Sequence, residues 1–233
     1  MENKEYLEWC MKNNLDSSLI KNYYKYQNEI EYQYYLNNFC KETDPKNEGL
    51  KENFISLLKF TNREGIDNLI NWLENETDFF TAPASTQYHL AVEGGLLKHS
   101  LNVYYELINE YYTNDYAITP SVIISALLHD ICKINSYELS SKNVKNKDGK
   151  WEQVPCYISN DTLPLGHSEK SIILIQKFIE LTDEEITAIR WHMGGFEAKE
   201  NYRYLNNAFN KCELAVKLHI ADLRATYIVE KGE

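Results

Sequence analysis

Along most of this chain, hydrophobic residues recur at the three- and four-residue spacing that places them on one face of an α-helix. Residues 121–134 are apolar on nearly every side, which predicts a buried helix. Thr119 and Pro120 precede this stretch as an N-cap and a first-turn proline. A capping-box sequence at residues 182–185 predicts the start of another helix, which is expected to end at Met193. Further helical stretches are residues 51–60, 65–76, 92–112, 168–181 and 207–229.

Residues 137–158 depart from the helical pattern. Two extended segments flank a turn-rich sequence at residues 146–150, which favours a β-hairpin. The predicted fold class is therefore all-α, a helical bundle with a small inserted β-hairpin at about 137–158.

The first 50 residues differ from the rest because they are rich in tyrosine, asparagine and charged residues, and residues 44–49 have the composition of a linker. We therefore predict an N-terminal helical appendage at 1–50 and a main domain at 51–233. The tyrosines favour packing on the main domain or oligomerisation over an aromatic platform for nucleic acid.

Composition and charge limit the kinds of partner that the protein is expected to bind. The formal net charge is −11, which makes a broad phosphate-binding face and an extended nucleic-acid partner improbable. No apolar stretch is long enough to span a bilayer and the N-terminus lacks signal-peptide features, so a cytoplasmic location is expected. The five cysteines form no CxxC motif and are expected to be reduced thiols.

The most informative feature is His129-Asp130, which lies within the apolar stretch. A carboxylate among valine, isoleucine and leucine needs a partner, because desolvating an unpaired charge costs several kcal/mol or more. A metal ion commonly binds histidine and aspartate together. Further candidates fall on inward-facing or helix-entry positions elsewhere in the chain, and these are His99, His167, His192 and Asp222. Side chains that converge from different helices of a bundle often build metal sites.

These residues and their surroundings resemble the HD-domain metal-dependent phosphohydrolase superfamily. The matching stretches are residues 94–103 around His99, residues 126–133 around His129-Asp130, and Ala221-Asp222. Gly166-His167 and Arg190-Trp191-His192 match two additional histidines of the branch that holds two metal ions. The resemblance covers about residues 51–229 and is strongest to small bacterial and phage HD proteins.

The resemblance implies a ligand set of six residues. His99, His129, Asp130 and Asp222 would hold a first ion, and Asp130 would bridge to a second ion bound by His167 and His192. One or two divalent ions are therefore expected, and the nitrogen and oxygen donors suit Mn²⁺, Fe²⁺, Mg²⁺, Co²⁺, Ni²⁺ or Zn²⁺. Such ions would activate a water molecule for attack on phosphorus.

Three catalytic residues are predicted, Asp130, Lys133 and His89. Lys133 shares the helix face of His129 and Asp130, where it could hold a substrate phosphate. His89 could protonate a leaving oxygen or bind phosphate. Arg190 and Arg224 are expected to point away from the metals, and His219 to be structural.

The favoured function is hydrolysis of a phosphoester in a nucleotide or a similar small phosphorylated substrate. Two alternatives remain open from the sequence. One is a 3′-to-5′ exonuclease that acts on RNA or short oligonucleotides, and the other is a nucleotide-sensing binding module.

Overall fold

The structure is a computed structural model that describes residues 4–13, 48–113 and 119–231. Most of these residues are helical, and the described part of the chain contains one two-stranded antiparallel sheet. The mainly α-helical class with a small hairpin is thereby confirmed. The elements are α1 (Lys4–Lys12), α2 (Glu48–Phe60), α3 (Ile66–Asn75), α4 (Gly95–Thr113), α5 (Pro120–Leu128), β1 (Tyr137–Lys145), β2 (Trp151–Ser159), α6 (His167–Ile175), α7 (Asp183–Trp191), α8 (Tyr202–Lys211) and α9 (Glu213–Arg224).

Two helices begin where their capping residues predict. The Thr119 side chain accepts a hydrogen bond from the Val122 N–H at the start of α5, and Pro120 occupies the first turn. At the start of α7, Thr182 and Glu185 form a reciprocal capping box. These hydrogen bonds satisfy backbone N–H groups that have no partner within the helix.

Other helix boundaries differ from the sequence prediction. The helix expected to carry His129-Asp130 ends at Leu128, and a short 3₁₀ turn, Ile131–Lys133, follows. The helix expected over residues 207–229 is divided at Cys212, where extended backbone angles (φ −127°, ψ 98°) separate α8 from α9. After α9 the chain tightens into a π-helical turn, Ala225–Val229.

The core is built around α4 and α7. Helix α4 packs against α2, α5 and α9, whereas α7 packs against α5, α6 and α9. Residues Val122 to Leu128 of α5 are all buried between these neighbours. The candidate ligands lie where α4, the carboxyl ends of α5 and α7, the start of α6 and the late part of α9 approach one another.

The hairpin pairs in the register Tyr137↔Ser159 to Lys145↔Trp151. Its turn is closed by Asn146, whose Oδ1 atom accepts hydrogen bonds from two backbone N–H groups, at 3.1 and 3.0 Å. At the base of the hairpin, Lys170 of α6 donates to Ser136 Oγ at 2.9 Å and pairs with Asp161 at 2.7 Å. The hairpin therefore rises directly beside α6.

At the N-terminus the structure describes α1, in which Tyr6 and Cys10 are buried. Residues 14–47 lie outside the described part of the chain, so the packing of residues 1–50 as helices on the main domain stays a prediction. Across residues 4–13, 48–113 and 119–231, none of the helices is both long enough and apolar enough to cross a membrane.

Candidate metal centre

Four histidines surround the Asp130 carboxylate and divide between its two oxygens. Oδ1 lies 2.7 Å from His167 Nε2 and 3.5 Å from His192 Nε2. Oδ2 lies 3.5 Å from His99 Nε2 and 3.6 Å from His129 Nε2. Each histidine thus presents the same ring nitrogen to the carboxylate.

Asp222 completes the group on one side. Its Oδ1 atom lies 3.3 Å from His99 Nε2. The ligand atoms of His99, His129 and Asp222 all lie within 4.8 Å of one another, as do those of His129, Asp130 and His192. All six residues proposed as ligands from the sequence are therefore brought together, from five different helices or helix ends.

Helix α5 ends at Leu128, before the position predicted from the sequence, and this explains how His129 and Asp130 can both face the cluster. Successive side chains of a continuous helix diverge by about 100°. Here Asp130 leaves the helical conformation (φ −106°, ψ 14°) directly after the helix ends. The turn that follows is fastened to α6, because the Cys132 N–H donates to Ser171 Oγ at 3.1 Å. This change of direction turns the Asp130 carboxylate toward the same point as the His129 ring.

Backbone carbonyls fix the orientation of two of these imidazoles. His129 Nδ1 lies 2.8 Å from the Ala126 carbonyl oxygen, and His192 Nδ1 lies 2.6 Å from that of Ile189. Only an Nδ1–H can donate to a carbonyl, so Nε2 carries a lone pair in the neutral ring. Burial lowers the pKa of His129 to about 4, which keeps it neutral at pH 7.

The same two Nε2 atoms are buried and, among the described residues, have no hydrogen-bond partner. A buried polar atom without a partner costs free energy and calls for an explanation. Two lone pairs aimed at a shared carboxylate are the donors that a divalent transition-metal ion accepts. The residues present therefore fit a metal ion.

Glu230 is a member of the site that the sequence analysis missed. It is 1% exposed, and its Oε1 atom lies 3.0 Å from His99 Nδ1 and accepts a hydrogen bond from Asn102 at 2.9 Å. Burial acts to lower the pKa of His99, but the negative charges of Glu230 and Asp222 outweigh it and raise this pKa to about 10. A carboxylate behind a ligating histidine orients the ring and increases its basicity.

Cys132 is a second residue that the sequence did not single out. Its Sγ atom lies 3.3 Å from His167 Nδ1. Burial acts to lower the pKa of His167, and the Asp130 charge outweighs it and raises this pKa to about 10. Cys132 forms a third close group with Asp130 and His167, which places a sulfur beside the expected nitrogen and oxygen donors.

Asp130 has a charged partner in the protein itself, Lys133. The sequence had suggested that this buried carboxylate would be unpaired unless a metal is bound. The Lys133 Nζ atom lies 2.6 Å from Asp130 Oδ2. Burial acts to lower the Lys133 pKa, but the Asp130 charge outweighs it and raises this pKa above its ordinary value. Lys133 therefore keeps its positive charge and is the immediate partner of the carboxylate.

His89 reaches the site from the loop before α4. Its ring lies 4.8 Å from the His99 ring, and its Nε2 atom lies 4.0 Å from Glu230 Oε2. Burial, helped by the neighbouring positive charge of His99, lowers the pKa of His89 to about 4. His89 is therefore neutral at pH 7.

Three other residues considered in the sequence analysis make their contacts outside the ligand cluster. His219 Nδ1 lies 2.7 Å from the His192 carbonyl oxygen, which supports the turn after α7. Arg190 pairs with Glu169 at 2.8 Å and also with a second glutamate. Arg224 pairs with a glutamate of α4.

A cavity of about 720 Å³ opens over the cluster. This volume is in the range of ligand pockets. Four of the candidate ligands, His99, Asp130, His167 and Asp222, line this cavity. Its most exposed lining residues are mainly aromatic. The lining residues outside the ligand set are Tyr88, His89, Lys133, Met193, Phe196, Leu223, Thr226, Tyr227, Glu230 and Lys231.

Comparison with known proteins found no protein-family model, no curated protein and no solved structure that matches this chain. The resemblance to the HD superfamily therefore stays a prediction from the sequence motifs.

Proposed function

We propose that this chain is a metal-dependent phosphohydrolase of the HD type, which cleaves a phosphoester in a nucleotide or a similar small substrate. The observation that carries the proposal is the arrangement of four histidines around the two oxygens of the Asp130 carboxylate. One oxygen faces His167 and His192, and the other faces His99 and His129. A carboxylate that bridges two metal ions presents one oxygen to each of them.

This arrangement supports one set of ligands for each of two ions. A first ion would be held by His99, His129, Asp130 and Asp222, and a second by Asp130, His167 and His192. Nitrogen and oxygen donors of this kind suit Mn²⁺, Fe²⁺, Mg²⁺, Co²⁺, Ni²⁺ or Zn²⁺. When bound, divalent ions polarise a phosphoryl oxygen and make water acidic enough to act as a nucleophile near neutral pH.

Lys133 and His89 supply the protein groups that can contact the phosphate. Lys133 lines the cavity with a permanent positive charge, so its ammonium group can pair with a phosphoryl oxygen. His89 is neutral at pH 7, so it is a poor proton donor for a leaving oxygen. Of its two roles considered above, a hydrogen-bond donor to phosphate is the better supported.

Charge and cavity size favour a small substrate. The net charge of −11 opposes binding of a long polyanion along the surface. The cavity has room for a mononucleotide or one terminal nucleotide.

Phosphate release after removal and replacement of metal tests the proposal. EDTA-treated protein, reloaded with Mn²⁺, would be given a panel of nucleotides, sugar phosphates and end-labelled RNA. We expect metal-dependent release from a small phosphoester, reduced to background in His192→Asn. The matched control is Glu200→Gln, an exposed residue outside the cavity, which should keep full activity.

Two outcomes would favour the alternative functions. Stepwise shortening of RNA, with a steep decrease in rate as salt increases, would indicate the exonuclease. Tight metal-dependent nucleotide binding without turnover of any substrate would indicate the sensing module. Activity that persists in His192→Asn would contradict the proposed site.

A further inference from the structure

Three aromatic side chains surround the mouth of the cavity although they are largely exposed. Tyr88 is 76% exposed, Phe196 63% and Tyr227 61%. Large aromatic side chains usually bury most of their surface. Exposed aromatic side chains at the entrance of a polar site therefore indicate a surface that could bind a ligand.

The three residues come from separate segments that also supply residues of the metal centre. Tyr88 directly precedes His89, Phe196 follows the end of α7, and Tyr227 follows α9. Each segment has an irregular backbone at this point.

Two of the rings lie in turns of irregular backbone. Phe196 ends a 3₁₀ turn that begins at Gly194, a glycine with positive φ (+51°) packed against the His219 ring. Tyr227 lies in the π-helical turn, where the Glu230 N–H donates to the Ala225 carbonyl oxygen at 2.9 Å. Single π-helical turns are rare and occur often at functional sites.

The cavity thus has two ends of opposite chemistry. Positive charge and candidate metal ligands occupy the deep end, which suits a phosphate. Met193 and Leu223 also line the cavity, so together with the aromatic residues they offer flat and apolar surfaces, to which Lys231 adds one exposed positive charge. A ligand that matches both ends carries a phosphate and a planar aromatic ring.

We propose that Tyr88, Phe196 and Tyr227 form a stacking subsite for the nucleobase of the substrate. This inference rests on the proposed phosphohydrolase function and adds a selection for phosphoesters that carry an aromatic base. The base belongs either to a mononucleotide or to the terminal residue of an oligonucleotide, and both present the same ring. Stacking of a base on an aromatic side chain tolerates different bases, because every base has a π-face.

Paired substrates test the subsite. Kinetic constants would be measured with adenosine monophosphate, ribose 5-phosphate and a short oligoadenylate, for the Mn²⁺-loaded protein and its variants. We expect the Phe196→Ala and Tyr227→Ala variants to raise KM for the base-containing substrates by about five- to hundredfold. The KM for ribose 5-phosphate and the kcat for every substrate should change little, and Tyr227→Phe should behave like the original protein.

Ile228→Ala is the matched control. Ile228 is 62% exposed and adjoins Tyr227, but it does not line the cavity. This variant should leave every KM unchanged. Equal KM values for base-containing and base-free substrates, unaffected by the aromatic variants, would overturn the subsite while leaving the phosphohydrolase function intact.

A binding measurement separates the two hypotheses if no substrate is hydrolysed. Calorimetric titration with adenosine monophosphate in the presence of Mn²⁺ should show binding that weakens in Phe196→Ala and Tyr227→Ala but not in Ile228→Ala. That result would support the subsite even if the proposed hydrolysis fails. Binding that is absent, or equal in all variants, would refute the subsite.

Discussion

Metal binding should release protons, because two candidate ligands hold protons that a metal ion must displace. The carboxylates around His99 and His167 raise both pKa values to about 10. At pH 7 both rings are therefore almost fully protonated in the metal-free protein. Their Nε2 atoms face Asp130, so a metal ion can bind these nitrogens only after the protons leave.

Three of the other candidate ligands, His129, Asp130 and Asp222, release none in this range. His129, with its pKa lowered to about 4, is already neutral. Asp130 and Asp222 have pKa values below their ordinary range, so both are already ionised. We therefore expect His99 and His167 together to release about two protons per fully loaded chain between pH 7 and 9. The logarithm of the metal association constant should rise by about two for each pH unit.

The stability of the metal-free fold should change in the opposite direction. The folded-state pKa of His99 lies above its unfolded value of 6.5. Its charge therefore stabilises the fold fully below about pH 6.5, and this contribution is lost as the pH rises through about 10. The metal-free protein should lose stability over the pH range in which it gains metal affinity.

Isothermal titration calorimetry with Mn²⁺ measures the proton count when each titration is repeated in buffers of different ionisation enthalpy. In the His167→Asn variant the count should fall by about one, since one protonated ring has been removed. A count near zero at pH 7.5, or an affinity that does not depend on pH, would show that His99 and His167 carry no protons that the metal displaces.

Two further substitutions test residues that support the cluster. Glu230→Gln removes the negative charge beside His99 Nδ1 and should weaken Mn²⁺ binding about 10- to 100-fold. An unchanged affinity in calorimetry would contradict this role of Glu230. Gly194→Ala should lower the free energy of unfolding by about 1–3 kcal/mol, because φ is +51° and the new Cβ would lie 2.3 Å from the His219 ring. Gly195→Ala, which meets no atom within 4 Å, is the control in urea denaturation, and equal losses in both variants would contradict the explanation.

Local sequence signals predicted much of the fold. Thr119 and Thr182 cap their helices as expected, because N-capping depends on residues only a few positions apart. The hairpin followed from a turn sequence between two extended segments. The division of the last predicted helix at Cys212 was missed, since helical periodicity continues on both sides of it.

The sequence identified those site residues whose type is unusual for their position. Asp130 and Asp222 are acidic residues at apolar positions, which marks them from the sequence alone. Glu230 carries no such mark, and its contact with His99 joins residues 131 positions apart. The pairing of Lys133 with Asp130 depends on the turn that replaces the expected helix, so it too required the three-dimensional structure.

A crystal structure of the protein soaked in Mn²⁺, with anomalous diffraction used to locate the ions, tests the proposed metal centre most directly. Anomalous peaks are expected on both sides of the Asp130 carboxylate, each about 2.0–2.3 Å from its ligand atoms. One peak should contact His129 Nε2, and the other His192 Nε2. A cluster without a peak, with Lys133 still paired to Asp130 while Mn²⁺ binds elsewhere, would contradict a metal centre at Asp130.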